Sequence, residues 1–235
     1  LLFPGQGIEI DELIAFARFL LNDCEIESGR DTFFEADSYL GRFFSPIFTQ
    51  ASSKHRLQGS VNMQMAIFVC SVAALRVWER LPEYKSPDFL AGHSLGEYAA
   101  LVAAKALRFD QAIELVQVRA AAMEEAAPVG LGAMNAIVNL PQEKITEALQ
   151  QAKAQVPDQV ISVANYNALN QVVISGHKEI VKLFSGLAKE FGGKVIPLSV
   201  RGPFHCPLMQ SAVAKIQSAL DAMNLGEINP PVFRN

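Results

Sequence analysis

Short apolar runs bounded by glycine and proline alternate along this chain with longer stretches whose apolar residues recur every third or fourth position, the pattern of strands interleaved with helices. Leu1 to Pro4 reads as a short buried strand running into Gly5-Gln6-Gly7, where glycines let the backbone turn tightly and present its N–H groups. From about Ile10 to Phe48 the periodicity is helical but irregular. Ser60 to Leu81 is a strongly apolar helix carrying Gln64 near its start, a side chain that needs partners if buried. Ser86-Pro87 breaks the chain; Asp88 to Ala91 then reads as a strand and Leu95 to Lys105 as a helix rich in small residues. A further helix, with Asp110 as its N-cap, runs to about Ala126.

After Gly130-Leu131-Gly132 the character changes. Ala133 to Val138, Val160 to Tyr166, Gln171 to Ser175 and Lys194 to Val200 read as strands, with helices over Pro141 to Ala154 and His177 to Phe191. The order β-α-β-β-α-β is the ferredoxin-like arrangement. The expected fold class is therefore α/β, with a core of residues 1–131 and 199–235 and an inserted ferredoxin-like small subdomain at 132–198.

Half of the 235 residues are hydrophobic, enough to bury one sizeable core. The formal net charge of −4, without a dense Lys/Arg block, argues against nucleic acid or an anionic membrane surface as partner. Cys24, Cys70 and Cys206 are odd in number and widely spaced, so neither a disulfide framework nor a metal site is expected, and a cytoplasmic setting is the simplest reading. The longest apolar stretches are expected to be broken by polar residues before the roughly 18 needed to span a bilayer. The first residue is Leu1 rather than methionine and the last residues, Phe233-Arg234-Asn235, follow an extended apolar stretch, so a longer natural polypeptide is expected.

Gly92-His93-Ser94-Leu95-Gly96 matches the G-x-S-x-G nucleophile elbow in the strand-then-helix context that the motif requires. Such a turn lifts the serine hydroxyl above the sheet and aims the Leu95 N–H at the same space, with the helix N-terminus adding partial positive charge. The bland alternative is a glycine-rich turn with a capping serine. Arg119 falls at the centre of an apolar helical stripe: Ala112, Leu115, Val116, Ala122 and Met123 all lie within about 60° of it on a helical wheel. A core-facing guanidinium needs an anion, either an internal carboxylate or the substrate itself. His205, in the loop Gly202-Pro203-Phe204-His205-Cys206-Pro207, is a candidate base for the serine. His55 and His177 read as surface or cap residues and His93 as a neighbour of the site. No acidic residue stands out as a third triad member, so a Ser-His dyad is expected.

These residues resemble the malonyl-CoA:acyl-carrier-protein transacylase family, which includes the acyltransferase domains of fatty-acid and polyketide synthases. The resemblance is carried by Phe3-Pro4-Gly5-Gln6-Gly7, the Gln64 helix, Gly92-His93-Ser94-Leu95-Gly96-Glu97-Tyr98, Arg119, Gly130-x-Gly132-Ala133-Met134, Asn165-x-Asn167, Gln171 to Gly176 and Phe204-His205. It implies an α/β-hydrolase-like core and a ping-pong reaction: Ser94 attacks malonyl-CoA with His205 as base, the oxyanion rests on the N–H groups of Leu95 and Gln6, and the phosphopantetheine thiol of an acyl carrier protein then takes the malonyl group. It further implies that Arg119 holds the malonyl carboxylate, that Gln64, His93, Met123, Phe204 and Asn165 bind substrate, and that no cofactor or metal is needed. Ala168-Leu169-Asn170 departs from the family's Ser-Pro-Gly, and the family's later segment, with a glutamine near the histidine and a Val-Gly-Pro-Gly stretch, is not in this sequence. An acyl-thioester hydrolase and a non-catalytic carrier-docking domain are the competing readings.

Overall fold

A computed structural model of the chain describes residues 1–40, 44–50, 55–57 and 59–234. It is a mixed α/β protein whose contacts divide it into two compact units, Leu1–Ala120 with Ser218–Asn235, and Ala121–Gln217.

In the first unit a parallel sheet is built from β1 (Leu2–Phe3), β2 (Leu90–Gly92) and β7 (Val232–Phe233), with β2 in the middle. Leu2 pairs with Ala91 and Phe3 with Gly92 on one side, and Leu90 with Val232 on the other. The helices of this unit begin with α1 (Ile10–Arg18), continued as a short π-helix over Phe19–Asp23, then α2 (Ser28–Leu40) and α3 (Pro46–Thr49). These follow the irregular helical periodicity of that region. Phe33, Phe44 and Phe48 pack edge to face, at 5.6 and 5.2 Å between centroids, and are fully buried. α4 (Ser60–Trp78) is tied to α2 by an ion pair of Arg76 with Glu35 at 2.5 Å.

One expectation about α4 is corrected. Val61–Trp78, with a mean hydropathy of 1.5 over 18 residues, is long and apolar enough to cross a membrane by length and composition. Its polar residues, Asn62, Gln64, Ser71 and the single charged Arg76, are too few to interrupt the window. More than half of that window is buried inside the protein, as in the core helix of a globular fold.

α5 (Gly96–Ala103) follows β2 directly, and α6 (Phe109–Ala126) comes next. The N-cap of α6 is not Asp110 but Arg108: its carbonyl accepts the first helical bond, from Ala112 N–H at 3.0 Å, and its own N–H donates to the Gln111 side chain at 3.1 Å. That is half of a capping box, and it leaves Asp110 inside the first turn, paired with the Arg108 guanidinium.

The second unit contains β3 (Gly132–Val138), α7 (Gln142–Gln155), β4 (Ile161–Ala168), β5 (Gln171–His177), α8 (Lys178–Glu190), β6 (Lys194–Pro197), a 3-10 turn and the greater part of α9 (Gln210–Asp221). Its sheet has the order β4-β5-β3-β6 and every neighbouring pair is antiparallel. Alternation along the strands serves two faces. Ile137 on β3 and Val172 and Ile174 on β5 join Ile145, Ile180 and Phe184 of α7 and α8 in one buried cluster. Met134, Ala136 and Val173 point to the other face and pack with Met123, Phe204, Met209 and Ala212.

Candidate active site

The first unit carries the elbow. β2 stays tied to β1 past its last residue, because the His93 N–H donates to the Phe3 carbonyl at 3.0 Å. The chain then reverses at Ser94, whose φ of 53° is a left-handed conformation that a non-glycine residue adopts only where its surroundings impose it. The reversal is held by Gly96 N–H on His93 O at 2.9 Å and Glu97 N–H on Ser94 O at 3.2 Å. Glycine is required on both sides. A Cβ on Gly92 would lie 2.0 Å from the Gly96 carbonyl carbon, and one on Gly96 would lie 2.3 Å from Phe3 O. Gly5 meets the same constraint from the loop after β1, since a Cβ there would sit 2.5 Å from His93 O. The Gly5-Gln6-Gly7 loop is thereby seated against the elbow, while Leu95 is buried at the helix entrance, where the first N–H groups have no intrahelical acceptor.

Arg119 projects from α6 into this place. It is only 6% exposed, and one guanidinium nitrogen, Nη2, donates to Ser94 Oγ at 2.9 Å while Nη1 donates to the side-chain oxygen of Gln64, which is fully buried on α4. The ring of Tyr98 lies with its centroid 5.7 Å from the guanidinium carbon. Among the described residues no carboxylate forms an ion pair with Arg119; its partners are an amide, a hydroxyl and a phenol. Burial pulls the Arg119 guanidinium below its ordinary pKa, opposed by Tyr98, and burial also raises the Tyr98 phenol, opposed by the arginine. Among the described residues the internal salt bridge that the helical wheel left open is not found, and the guanidinium lies against the elbow serine.

Tyr98 is the residue that sequence reasoning missed as a site member. It stands on the first turn of α5, directly after the elbow. His93 is exposed, with its Nδ1 against Gly5, and Gln6 is half-buried in the adjoining loop.

In the second unit His205 is exposed, with a φ of 57°, at the tip of a turn closed by Phe204 N–H on Gly202 O at 3.0 Å and by the Cys206 thiol on Pro203 O at 3.0 Å. Phe204 and Met123 are buried together in the Met134 cluster. Asn165 is half-buried on β4 where the register with β5 shifts. His177 is the N-cap residue of α8, and its Nδ1 accepts from Val160 N–H at 2.9 Å. Among the described residues no cluster of three or more His, Cys, Asp or Glu could hold a metal ion.

A sequence profile for the family described as acyl transferase domain matches residues 10–231. The chain is 40% identical over 238 residues to the malonyl CoA-acyl carrier protein transacylase of Bacillus subtilis strain 168, covering 100% of this chain and 71% of that protein. It is 38% identical over 234 residues to the enzyme of the same name from Escherichia coli K12, covering 99% and 72%. The solved structure of the malonyl CoA-acyl carrier protein transacylase from Coxiella burnetii superposes with a TM-score of 0.86 at 37% identity, over 100% of this chain and 72% of that one. A malonyl-transacylase solved in complex with its type II PKS acyl-carrier protein superposes with a TM-score of 0.89 at 36% identity, over 100% and 73%.

Proposed function

Because the chain belongs to the acyl transferase domain family, and within it to the malonyl CoA-acyl carrier protein transacylases, we propose that it moves a malonyl group from coenzyme A through Ser94 to the phosphopantetheine thiol of an acyl carrier protein, in fatty-acid or polyketide synthesis. The observation that carries this reading is a buried arginine whose partners among the described residues are neutral and which donates to the hydroxyl of an elbow serine. A site so made suits an acyl group ending in a free carboxylate, which the guanidinium can take in a charge-assisted, two-pronged bond. A plain ester would leave that cation uncompensated.

The steps follow from the chemistry of the parts. Ser94 Oγ bonds to the thioester carbonyl carbon as His205 takes the hydroxyl proton, and the charge that develops on the carbonyl oxygen rests on the N–H groups of Leu95 and Gln6. The C–S bond breaks, the thiolate of coenzyme A leaves with the proton, and a carrier thiol reverses the sequence. Gln64 holds the guanidinium in place, while His93, Met123, Phe204 and Asn165 contribute to substrate binding. Bulk at Phe204 disfavours a 2-methyl branch by about 1–3 kcal/mol, the scale of one apolar contact. No metal or cofactor enters these steps, and malonyl-CoA is a substrate. The same reading includes cytoplasmic localisation, an α/β-hydrolase-like core and a ferredoxin-like subdomain at 132–198, the last supported by the β4-β5-β3-β6 order.

Intact-mass spectrometry after brief mixing with malonyl-CoA tests the proposal. A gain of about 86 Da is expected, the malonyl increment of an acyl-serine, lost in Ser94→Ala. No adduct with any acyl thioester would overturn transfer through serine, and an adduct that water removes as fast as it forms would make the protein a hydrolase.

A further inference from the structure

In the structure the arginine spends one of its donors on the very oxygen that has to react. Arg119 Nη2 donates to Ser94 Oγ at 2.9 Å, and Arg119 is only 6% exposed, so water cannot readily replace that bond. A hydroxyl oxygen is a good acceptor with two lone pairs. Once it is acylated the same atom is the alkoxy oxygen of an ester, with its lone pair delocalised into the carbonyl, and it accepts poorly. Acylation therefore takes a partner from a buried cation whose other neighbours, Gln64 and Tyr98, are neutral. An acyl group with its own carboxylate replaces the lost partner with a better one. One without a carboxylate leaves the cation short.

We infer that Arg119 acts as a latch on Ser94: it restrains the nucleophile toward every acyl group that lacks an anion, and a carboxylate releases it. Selection thus acts on the rate of forming the Oγ–carbonyl bond as well as on binding. This goes beyond a carboxylate clamp, because a clamp alone leaves the reactivity of Ser94 toward uncharged reagents untouched. A cation that activated the serine would do the opposite of the latch.

The inference rests on Ser94 being the nucleophile, and a neutral electrophile separates the two questions. Phenylmethanesulfonyl fluoride sulfonylates a reactive serine: the Oγ–S bond forms, the S–F bond breaks, and fluoride leaves as the base takes the proton. With the intact chain the latch predicts slow labelling at Ser94, accelerated about tenfold in Arg119→Gln and in Arg119→Met, the size of one charge-assisted hydrogen bond. In the unsubstituted protein millimolar formate, small enough to engage the guanidinium without filling the acyl space, accelerates labelling, and it does nothing in Arg119→Gln. The formate arm requires no variant to fold. Labelling at Ser94 that is unchanged or slowed by both the substitutions and formate would overturn the latch and leave the nucleophile standing. No label at Ser94 in any form would remove the nucleophile and the latch with it.

Discussion

Burying a guanidinium without a counter-ion costs several kcal/mol unless neighbouring dipoles and π faces take part of the charge, and Arg119 is flanked by both. Tyr98 supplies the π face. Replacing Tyr98 by Phe keeps the ring and is expected to change KM for malonyl-CoA by less than about twofold, whereas Tyr98→Leu raises it about three- to tenfold, the range of a partly desolvated cation–π contact. Equal losses in the two variants, read from initial rates, would assign the effect to the hydroxyl instead. His205 is argued at the same scale: as the base it contributes the usual factor of about 10² to 10⁴, so His205→Ala slows adduct formation by that much without abolishing it. A loss of less than tenfold in single-turnover acylation would remove it from that role. The serine and the arginine were both legible in the sequence, one from a local motif and the other from a wheel. Tyr98 was less so, because its value depends on α6 bringing Arg119 over its ring, and that is a tertiary event.

The elbow is legible as an element because its turn lies in one strand–turn–helix passage, braced from outside by the Phe3 carbonyl of β1 and by Gly5 of the loop that follows it. Its tolerance follows from the same geometry. Gly92→Ala forces a Cβ to 2.0 Å from rigid backbone, and a loss of more than about 3 kcal/mol or failure to fold is expected in denaturant melts, as for overpacked cores. Gly186 on α8 is the internal control, an exposed helical glycine with nothing within 4 Å of an added Cβ. There alanine is expected to stabilise by about 0.5–1 kcal/mol through helix entropy, measured the same way. The start of α6 was read less well. Asp110 suits an N-cap by residue type, but Gln111 closes on Arg108 and moves the boundary back by two positions, a choice that depends on side-chain reach and leaves no mark in the hydrophobic pattern. A hydrogen bond from Arg108 holds the Asp110 carboxyl below its ordinary value of 3.8. A depressed folded pKa gives stability above the unfolded value that is lost as pH falls through the folded one. Asp110→Asn is therefore slightly less stable than the parent at pH 7, and the gap closes below about pH 3.8; the effect is small because the pair is exposed. A gap that persists at pH 2 would show that the charge is not its source.

At the scale of the whole molecule Ser94, Gln64 and Arg119 belong to one compact unit and His205 to the other. The contact division runs inside α6 and α9, where helical periodicity continues unbroken, so the pattern of apolar positions gives no sign of it. What the whole chain has to do is use one serine twice. If Ser94 accepts malonyl from coenzyme A and then yields it to a second thiol, the two substrates occupy the same acyl space in turn and never together. Initial rates measured against malonyl-CoA at several carrier concentrations are then expected to give parallel double-reciprocal lines. The malonyl-enzyme, isolated free of thiols, is expected to transfer its label to added carrier in a single turnover. Intersecting lines would require both substrates on the protein at once, which a shared serine cannot accommodate. Malonate appearing in step with coenzyme A in the absence of any thiol would instead mean that water is the acceptor, since the acyl-serine is the same in both reactions and only the second nucleophile differs.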